Sequence, residues 1–312
     1  MSIMNKLVVV TGPTASGKSD LAIRLARQFK GEVISADSRQ VYKNLDIGSG
    51  KVTKQEMKGV PHHLLDVANP KLVFTVSQYQ RLAQAKVKDI WSRGKTPIIC
   101  GGTGLYIRAA VDGIVFPEVP PNLKLRKELE KKSVEELFKI LKKLDKDRAS
   151  NIDAKNPRRL IRAIEIATVR GKVPSLSASP ITQDQNILFI GLSPTDETLK
   201  KNIKTRLIKR LKAKGKSNLI TEVKRLKKEG LSWKRLEALG LEYRYVALFL
   251  QHKLSKIEME DLIEKESWQY AKRQYTWWKG DKRVNWLYNP KLYYEQSKKL
   301  CQKFLMLKGA RS

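Results

Sequence analysis

The chain has 312 residues, enough for a full hydrophobic core and one additional module. Its 63 Lys and Arg residues outnumber 31 Asp and Glu residues, which gives a formal charge of +32 and a pI of about 10.1. This excess favours a polyanionic partner, although a general lysine bias would also produce much of it. Cys100 and Cys301 are the only cysteines, which excludes a disulfide framework and is typical of a reducing compartment. With no signal-peptide pattern and no apolar stretch of about 18 residues, we expect a cytoplasmic protein without a membrane segment.

The first predicted strand leads into a phosphate-binding loop. Residues 7–10 form a short apolar run typical of a strand buried on both faces, and residues 12–19 follow the pattern G-x-x-x-x-G-K-S. In this pattern backbone N–H groups surround an anion, the lysine adds a positive charge, and the serine hydroxyl binds Mg²⁺. The helix predicted from Asp20 adds the positive end of its dipole. We therefore expect a di- or triphosphate with Mg²⁺ on Ser19. The predicted phosphate ligands are Gly12, Pro13, Thr14, Ala15, Ser16, Gly17, Lys18 and Ser19.

A second buried strand is predicted at residues 32–36, and Asp37 follows it directly. Ligands of open α/β sheets bind at this end of the strands. Asp37 is therefore predicted to face the phosphate loop, either as a general base or as a ligand of Mg²⁺ through water. The alternative is a capping role in the following turn. Asp46 and Asp66 are weaker candidates because their loop positions favour turns.

A third strand is predicted at residues 97–100, after a helix at 76–93, and it ends in Gly101-Gly102-Thr103-Gly104. Strands that alternate with helices predict a parallel sheet with helices on both faces. Kinases with a phosphate loop commonly hold magnesium with an acid at such a strand end, and none is present here. The glycines suggest a ligand close to the backbone, with the Thr103 hydroxyl as a neutral hydrogen-bonding group. A tight turn without function is the alternative.

The alternation of strands and helices stops at the proline-rich stretch 116–121. Residues 122–170 have a helical pattern, residues 174–185 resemble a linker, and residues 186–192 form another predicted strand. Everything after residue 195 is predicted to be helical. The sequence thus predicts an α/β catalytic core of the P-loop NTPase type at 1–116 and 186–312, with a helical C-terminal region. A helical domain at 117–185 is inserted into it.

Two segments concentrate positive charge. Residues 201–230 are rich in lysine and arginine and are mostly expected to form a solvated face, from which one arginine can reach the phosphate loop. Residues 268–283 interleave aromatic and cationic side chains, a pattern suited to stacked bases and phosphates. The alternative is that the aromatic side chains, Trp277 included, pack on the core while the cations face water. The adjacent His62 and His63 lack metal-ligand spacing and are expected to be structural or to orient a substrate.

Taken together, these segments resemble the tRNA dimethylallyltransferase (tRNA isopentenyltransferase) family, bacterial type. The matching segments are 12–19 (GPTASGKS), 37–42 (DSRQVY), 46–48 (DIG), 61–66 (PHHLLD), 101–106 (GGTGLY), 156–163 (NPRRLIRA) and 270–277 (YAKRQYTW). The phosphate loop alone is shared by many enzymes, whereas the combination of D-S-x-Q, G-G-T and K-R-Q-x-T-W is highly specific. Residues 240–244 (GLEYR) depart from the family's commoner Gly-Tyr, so the side chain that meets tRNA there is in doubt.

The resemblance implies transfer of a dimethylallyl group from its diphosphate to N6 of the adenosine just 3′ of the anticodon. It implies a P-loop core with an inserted helical domain, Mg²⁺ as cofactor, and a monomer that binds the tRNA anticodon stem-loop. Asp37 would be the general base, Thr103 would line the reaction channel, and Lys18 and Arg206 would contact the diphosphate. The implied tRNA contacts are Asp37, Ser38, Arg39, Gln40, Thr103, Arg126, Arg158, Arg159, Leu160, Ile161, Arg162, Tyr243, Arg244, Lys272, Arg273, Gln274, Tyr275, Thr276, Trp277, Trp278 and Lys279.

Three other functions are compatible with parts of the sequence. A small-molecule kinase would use the phosphate loop but is disfavoured by the missing strand-end acid and the basic insertion. An adenylate isopentenyltransferase shares the core and prenylates free nucleotides, whereas the insertion and Lys272-Arg273-Gln274 favour tRNA. An RNA-binding module without enzymatic activity would leave Asp37 and the phosphate loop without a role.

Overall fold

The computed structural model describes residues 5–114, 116–174, 180–182 and 186–306. The chain divides into two compact units. The larger unit comprises Met1–Gly113 and Pro180–Ser312, and the smaller unit comprises Ile114–Ser179. The predicted linker at 174–185 lies largely outside the described residues.

The larger unit is built on a parallel sheet, which has six strands among the described residues, in the order β3-β2-β4-β1-β5-β6. The strands are β1 (Leu7–Thr11), β2 (Gly31–Ser35), β3 (His62–His63), β4 (Thr96–Gly101), β5 (Ile187–Leu192) and β6 (Val284–Leu287). At the centre, Val8 of β1 lies opposite Ile98 of β4 and Leu188 of β5. Every residue of β1, β2, β4 and β5 is buried, as the continuous apolar runs predicted.

The helices of the larger unit cover both faces of this sheet, and the other helices belong to the smaller unit. In chain order they are α1 (Lys18–Gln28), α2 (Lys54–Met57), α3 (Val76–Ser92), α4 (Gly104–Asp112), α5 (Leu123–Leu129), α6 (Val134–Leu144), α7 (Lys146–Ser150), α8 (Pro157–Arg170), α9 (Asp196–Lys212), α10 (Leu219–Lys228), α11 (Trp233–Leu239), α12 (Leu241–Leu250), α13 (Lys256–Lys279) and α14 (Tyr293–Met306). Alternate β1 residues face opposite cores: Val8 and Val10 pack with α1 and α14, whereas Leu7 and Val9 pack with α3, α4 and α10–α13. The predicted fold class is confirmed.

The two edge strands were not predicted, and the expectation that everything after residue 195 is helical is wrong at β6. β3 has two residues and β6 has four, too few to display a period-two pattern. β6 exists because β5 offers it a partner: Val284 lies opposite Phe189, and Leu287 lies opposite Leu192.

The smaller unit consists of α5–α8 around its own apolar core, which includes Leu137, Leu141 and Leu160. Helix α8 begins as predicted, with Pro157 in its first turn and the Asn156 side chain accepting a hydrogen bond from the N–H of Arg159.

No helix in the described part of the chain is both long enough and apolar enough to span a lipid bilayer.

A buried carboxylate near the start of β2 joins three basic side chains. Glu32 is 2% exposed, and it accepts hydrogen bonds from Arg93 Nη2 at 2.9 Å and Lys95 Nζ at 2.7 Å. Nε2 of His63 lies 2.7 Å from it, so this histidine is structural, as one of the two interpretations expected. Hydrogen bonds from Arg93 hold the pKa of Glu32 far below its ordinary value of 4.5. Ionised Glu32 therefore stabilises the folded state above pH 4.5, and this stabilisation is lost as the pH falls from 4.5 toward the lower pKa of the folded state.

We expect Glu32→Gln to lower the free energy of unfolding by about 1–3 kcal/mol at pH 7, because the basic partners lose a charged acceptor. The difference from the parent protein should shrink as the pH falls below 4.5, where the parent carboxylate begins to lose its advantage. Urea denaturation at pH 7, 5 and 3 measures both effects, since these pH values lie on both sides of 4.5. Asp89→Asn removes an exposed partner of the same Arg93 and should change little. A difference for Glu32→Gln that is constant across the pH series would contradict this account.

Candidate active site

The predicted site segments come together at one edge of the sheet. The phosphate loop follows β1, Asp37 follows β2, and the turn 101–104 follows β4. These three strands are neighbours in the order β2-β4-β1, and they run parallel, so all three carboxyl ends meet at the same edge.

The phosphate loop has the backbone geometry that its glycines predict. Gly17 has a φ of 91°, and a Cβ atom on Gly12 would lie 2.8 Å from the carbonyl oxygen of Leu192. Asn202 of α9 donates from Nδ2 to the carbonyl of Ala15 at 3.1 Å, which fixes the outer side of the loop. The buried Oγ of Ser16 has no hydrogen-bond partner among the described residues. An unsatisfied buried hydroxyl in such a loop is suited to a ligand oxygen.

The side chain of Gln274 joins the phosphate loop to the turn after β4. Its Oε1 accepts from the N–H of Thr14 at 2.7 Å, and its Nε2 donates to the carbonyl of Gly102 at 2.9 Å. A Cβ atom on Gly102 would collide with this amide, which explains the glycine. Gln274 is buried among the site segments, and its predicted contact with tRNA stays a prediction. Its role is to hold two site segments together.

Asp37 has the turn-capping role that the sequence offered as one alternative, and it keeps one carboxylate oxygen available. Its Oδ1 accepts from the N–H groups of Arg39 at 2.8 Å and Gln40 at 3.3 Å, which is the turn-capping role. Its Oδ2 accepts no hydrogen bond from any described residue. One oxygen therefore fixes the carboxylate, and the other is available to a substrate.

Thr103 and the glycines beside it pack against the segment after β2. The Thr103 hydroxyl oxygen accepts from the N–H of Ser38 at 3.1 Å, and the Thr103 N–H donates to the carbonyl of Ala36 at 3.1 Å. A Cβ atom on Gly101 would overlap Ala36. Gly101 thus allows the carboxyl ends of β2 and β4 to approach each other, and this packing role does not depend on a ligand.

Tyr270 also belongs to the site, although it was not predicted as a site residue. Its hydroxyl interacts with Thr103 and Gln274, and burial and the negative charge of Asp37 raise the pKa of Tyr270 to about 12. The signal was present in the sequence: Tyr270 lies one helical turn before Gln274 on α13, so both side chains share a face.

Lys18 and Arg206 bring two cations to the same place. Lys18 donates to the carbonyl of Pro13 at 3.0 Å, and burial, together with the nearby charge of Arg206, lowers the pKa of Lys18. Burial and the neighbouring Arg210 lower the pKa of Arg206 to about 10. Arg206 is half-buried, and it has no hydrogen bond or ion pair with any described residue. A cluster of neighbouring cations, partly withdrawn from water, is suited to a polyanion.

The predicted metal ligand, Ser19, lies in the first turn of α1 beside Cys100. Burial raises the pKa of the Cys100 thiol to about 11, so the thiol stays protonated. The part of the chain that the structure describes contains no group of three or more His, Cys, Asp or Glu side chains placed to hold a metal ion.

Along α13, the predicted tRNA contacts divide between two faces. Lys272, Arg273, Thr276, Trp277 and Lys279 are exposed. Trp277 is 41% exposed and lies over Gly104, so its side chain does not belong to the core.

The other face of α13 packs inward, and part of the prediction is corrected there. Trp278 is 1% exposed, and its ring lies 5.8 Å from that of Phe189, so the predicted contact of its side chain with tRNA is wrong. Tyr275 is half-buried, with its ring 5.1 Å from that of Trp286.

In the smaller unit, Leu160 and Ile161 are buried in the core, so their side chains do not contact tRNA as predicted. Arg126 and Arg162 both bind the buried carboxylate of Glu165, Arg126 at 2.7 Å and Arg162 at 3.3 Å.

Two further arginines of α8 are exposed. Arg159 lies 3.6 Å from Asp153, and Arg158 has no partner among the described residues.

Tyr243 is also misassigned as a tRNA contact. It is 1% exposed, and its hydroxyl donates to Glu222 at 2.9 Å. Arg244 is half-buried and donates from Nε to the carbonyl of Glu237 at 3.1 Å. Arg39 is half-buried and donates from Nη1 to the carbonyl of Ser38 at 3.3 Å.

Comparison with known proteins agrees with this geometry. A family model described as IPP transferase matches residues 40–281. tRNA dimethylallyltransferase 1 of Syntrophus aciditrophicus (strain SB) is 43% identical over 280 residues, 89% of this chain and 90% of that protein. The solved tRNA isopentenylpyrophosphate transferase of Bacillus halodurans is similar with a TM-score of 0.71 and 33% identity, over 96% of this chain and 97% of that one.

A second solved structure shows a eukaryotic dimethylallyltransferase acting on tRNA. It is similar with a TM-score of 0.74 and 25% identity, over 95% of this chain and 77% of that one. The resemblance on which the sequence prediction depends is confirmed. The matched family model spans more than half of the chain, and the curated relative is similar over nearly its whole length. The chain is therefore a transferase that belongs to the IPP transferase family, the family of the tRNA dimethylallyltransferases.

Proposed function

We propose that this protein transfers a dimethylallyl group from dimethylallyl diphosphate to N6 of the adenosine 3′-adjacent to the anticodon in tRNA, releasing diphosphate. One observation carries the proposal: Asp37 has a carboxylate oxygen with no partner among the described residues, and it lies near two cations, Lys18 and Arg206. A base for an amine and a binding site for a leaving diphosphate are the two requirements of this reaction.

The diphosphate binds in the phosphate loop. Backbone N–H groups at the start of α1, the unsatisfied Oγ of Ser16 and the charge of Lys18 face the anion. As the C–O bond of the allylic diphosphate breaks, negative charge grows on the bridging oxygen. Lys18 and Arg206 stabilise that charge, and they do so strongly because both are withdrawn from bulk water.

Ser19 and the phosphate oxygens fit a Mg²⁺ ion, which prefers oxygen ligands and keeps several waters. When bound, Mg²⁺ supplies positive charge that neutralises the diphosphate. Ser19 would be the protein's ligand for this ion, and the diphosphate and water would supply the other oxygen ligands.

Asp37 accepts the proton of the adenine amine. The amine is a weak nucleophile, and its proton must leave as the bond between N6 and the allylic carbon forms. The two N–H groups that bind Oδ1 hold the carboxylate in place, so Oδ2 meets the amine without reorganisation. In a single-stranded loop, an adenine leaves its stack at a cost of about a few kcal/mol.

The tRNA backbone binds to exposed cations. On α13 these are Lys272, Arg273 and Lys279, with the indole of Trp277 available for stacking. In the smaller unit they are Arg158 and Arg159. Both cysteines are free thiols, in keeping with a site of action in the cytoplasm.

The direct test is incubation with unmodified tRNA and radiolabelled dimethylallyl diphosphate, beside parallel reactions with AMP and ATP. Label should appear in tRNA, at N6 of the adenosine 3′ of the anticodon, and not in free nucleotides. Label in AMP but not in tRNA would replace the proposal with an adenylate isopentenyltransferase.

We expect Asp37→Asn to reduce single-turnover transfer by roughly 10²–10⁴ while tRNA and diphosphate affinities stay within twofold. The amide oxygen still accepts from the N–H groups of Arg39 and Gln40, so the turn persists without the base. Asp89→Asn, which changes an exposed aspartate of α3 that pairs with Lys86 and Arg93, is the control and should keep most of the activity. Rescue of Asp37→Asn by raised magnesium would instead identify Asp37 as a metal ligand.

We expect Lys18→Ala and Arg206→Ala to lower turnover by about 10²–10³ each, with a much smaller effect on tRNA affinity, because both cations stabilise charge that grows in the transition state. Single-turnover rates at saturating substrates measure the effect. Lys204→Ala removes an exposed cation from the same helix as Arg206 and serves as the control. Wild-type turnover in either variant would remove that residue from the mechanism.

We expect the double variant Lys272→Ala with Arg273→Ala to bind tRNA more weakly and to show a shallower dependence of log K on log salt, by about one unit per lost phosphate contact. Filter binding across a salt series measures both quantities, and diphosphate affinity should not change. The double variant Lys298→Ala with Lys299→Ala removes the same charge from α14. An equal loss of tRNA affinity in that control would mean that only the total charge matters.

A further inference from the structure

Arg206 is placed by packing against a loop. A Cβ atom on Gly50 would overlap the Arg210 guanidinium and lie 2.6 Å from Nη2 of Arg206, so the loop 46–50 lies directly against both guanidinium groups. Gly50 has a φ of 61°, which a glycine adopts without strain. Arg206 has no hydrogen bond or ion pair with the described residues. Contact with this loop therefore limits the positions that the Arg206 guanidinium can take.

The loop is held by one buried carboxylate. Glu222 of α10 is 3% exposed, and it accepts hydrogen bonds from the backbone N–H groups of Asp46 at 2.9 Å, Ile47 at 2.7 Å and Gly48 at 3.0 Å. The Tyr243 hydroxyl donates a fourth bond at 2.9 Å. Two bonds to each oxygen use the full acceptor capacity of a carboxylate, so Glu222 has a satisfied, structural environment.

Tyr243 completes this attachment from α12. Its hydroxyl donates to Glu222 and accepts from the N–H of Ser49 at 3.1 Å. Its ring fills the space beside Gly48, where a Cβ atom would lie 2.6 Å from Cζ. Burial and the adjacent Glu222 raise the pKa of Tyr243, so the hydroxyl keeps its proton and remains a donor.

The same loop is connected to the catalytic carboxylate. Gln40, whose N–H binds Asp37, donates from Nε2 to the carbonyl of Gly50 at 3.2 Å. On the other side, Arg210 donates to the carbonyl of Gly48 at 3.4 Å and to Glu242 at 2.9 Å. These hydrogen bonds hold both ends of the loop, so the surface that contacts Arg206 has a fixed backbone conformation.

We propose that Glu222 and Tyr243 are positioning residues, which fix the loop 46–50 so that the guanidinium of Arg206 points at the diphosphate. The proposal rests on the role assigned to Arg206 under the proposed function. Arginine has many rotamers, and holding one of them in advance removes an entropic cost from diphosphate binding. Charge that is already in place also stabilises a leaving group without reorganisation.

The test is a double-mutant cycle between Tyr243→Phe and Arg206→Ala. Calorimetry with inorganic pyrophosphate and magnesium measures anion binding without any transfer reaction, and single-turnover rates and tRNA affinity are measured in parallel. We expect Tyr243→Phe to weaken pyrophosphate binding by about 5–30-fold and to leave tRNA affinity within twofold, because it acts through Arg206. In the Arg206→Ala background, Tyr243→Phe should have no further effect.

Tyr293→Phe is the matched control. Tyr293 is also buried, but its hydroxyl has no partner among the described residues, so its loss should affect neither binding nor rate. Additive effects of Tyr243→Phe and Arg206→Ala would overturn the proposal, as would a loss of tRNA affinity equal to that of pyrophosphate affinity. If the cycle is coupled but the parent protein transfers no dimethylallyl group to tRNA, the proposed reaction fails while the positioning role stands.

A second pair of variants keeps the proposal testable if Tyr243→Phe does not fold. Gly50→Ala introduces a methyl group against the guanidinium groups of both Arg206 and Arg210, whereas Gly59→Ala introduces one into open space at a similarly positive φ of 79°. Both carry comparable backbone strain. Gly50→Ala should weaken pyrophosphate binding, and Gly59→Ala should not. Equal affinities in the two variants would refute the role of the loop.

Discussion

The buried amide of Gln274 is the connection on which the site depends. It ties the phosphate loop through Thr14 and the turn after β4 through Gly102, and its helix α13 also carries Tyr270, Trp277 and the exposed cations. A shift of α13 would therefore move the anion site, the turn around Thr103 and the proposed RNA surface together. An amide carries an acceptor oxygen and a donor nitrogen on the same carbon, so it satisfies both partners. A carboxylate of similar shape would satisfy only the N–H of Thr14, and an aliphatic side chain would satisfy neither.

The charges of the site differ from the other buried charges of the protein because they are not satisfied. Glu32, Glu165 and Glu222 each accept several hydrogen bonds and serve structure. Arg206 and Oδ2 of Asp37 have no such partners among the described residues, and Lys18 binds only a carbonyl there. Leaving buried polar groups unpaired costs free energy, and active sites are where proteins bear that cost. We propose that these unsatisfied groups mark the positions where a polyanion and a proton donor bind.

Local patterns predicted the parts of the site that come from short segments. The phosphate loop and Asp37 were found because a buried strand precedes each of them. Thr14 and Gln274 are 260 positions apart, and no periodicity links them, so the bond that joins them was not foreseen. The burial of Tyr243 was also not predicted, because its partner Glu222 lies on another helix and no local pattern links the two residues. Trp277 and Trp278 are indistinguishable in the sequence, and the packing of one against Phe189 decides which faces solvent.

The most direct measurement is a crystal structure of the protein with tRNA, magnesium and a non-reactive thiolo analogue of dimethylallyl diphosphate. The account predicts the adenine N6 within about 2.6–3.2 Å of Oδ2 of Asp37, the distance needed for proton transfer. It also predicts the guanidinium of Arg206 and the ammonium of Lys18 in contact with the diphosphate. A structure in which Oδ2 of Asp37 binds the metal ion directly, or in which Arg206 points away from the diphosphate, would contradict it.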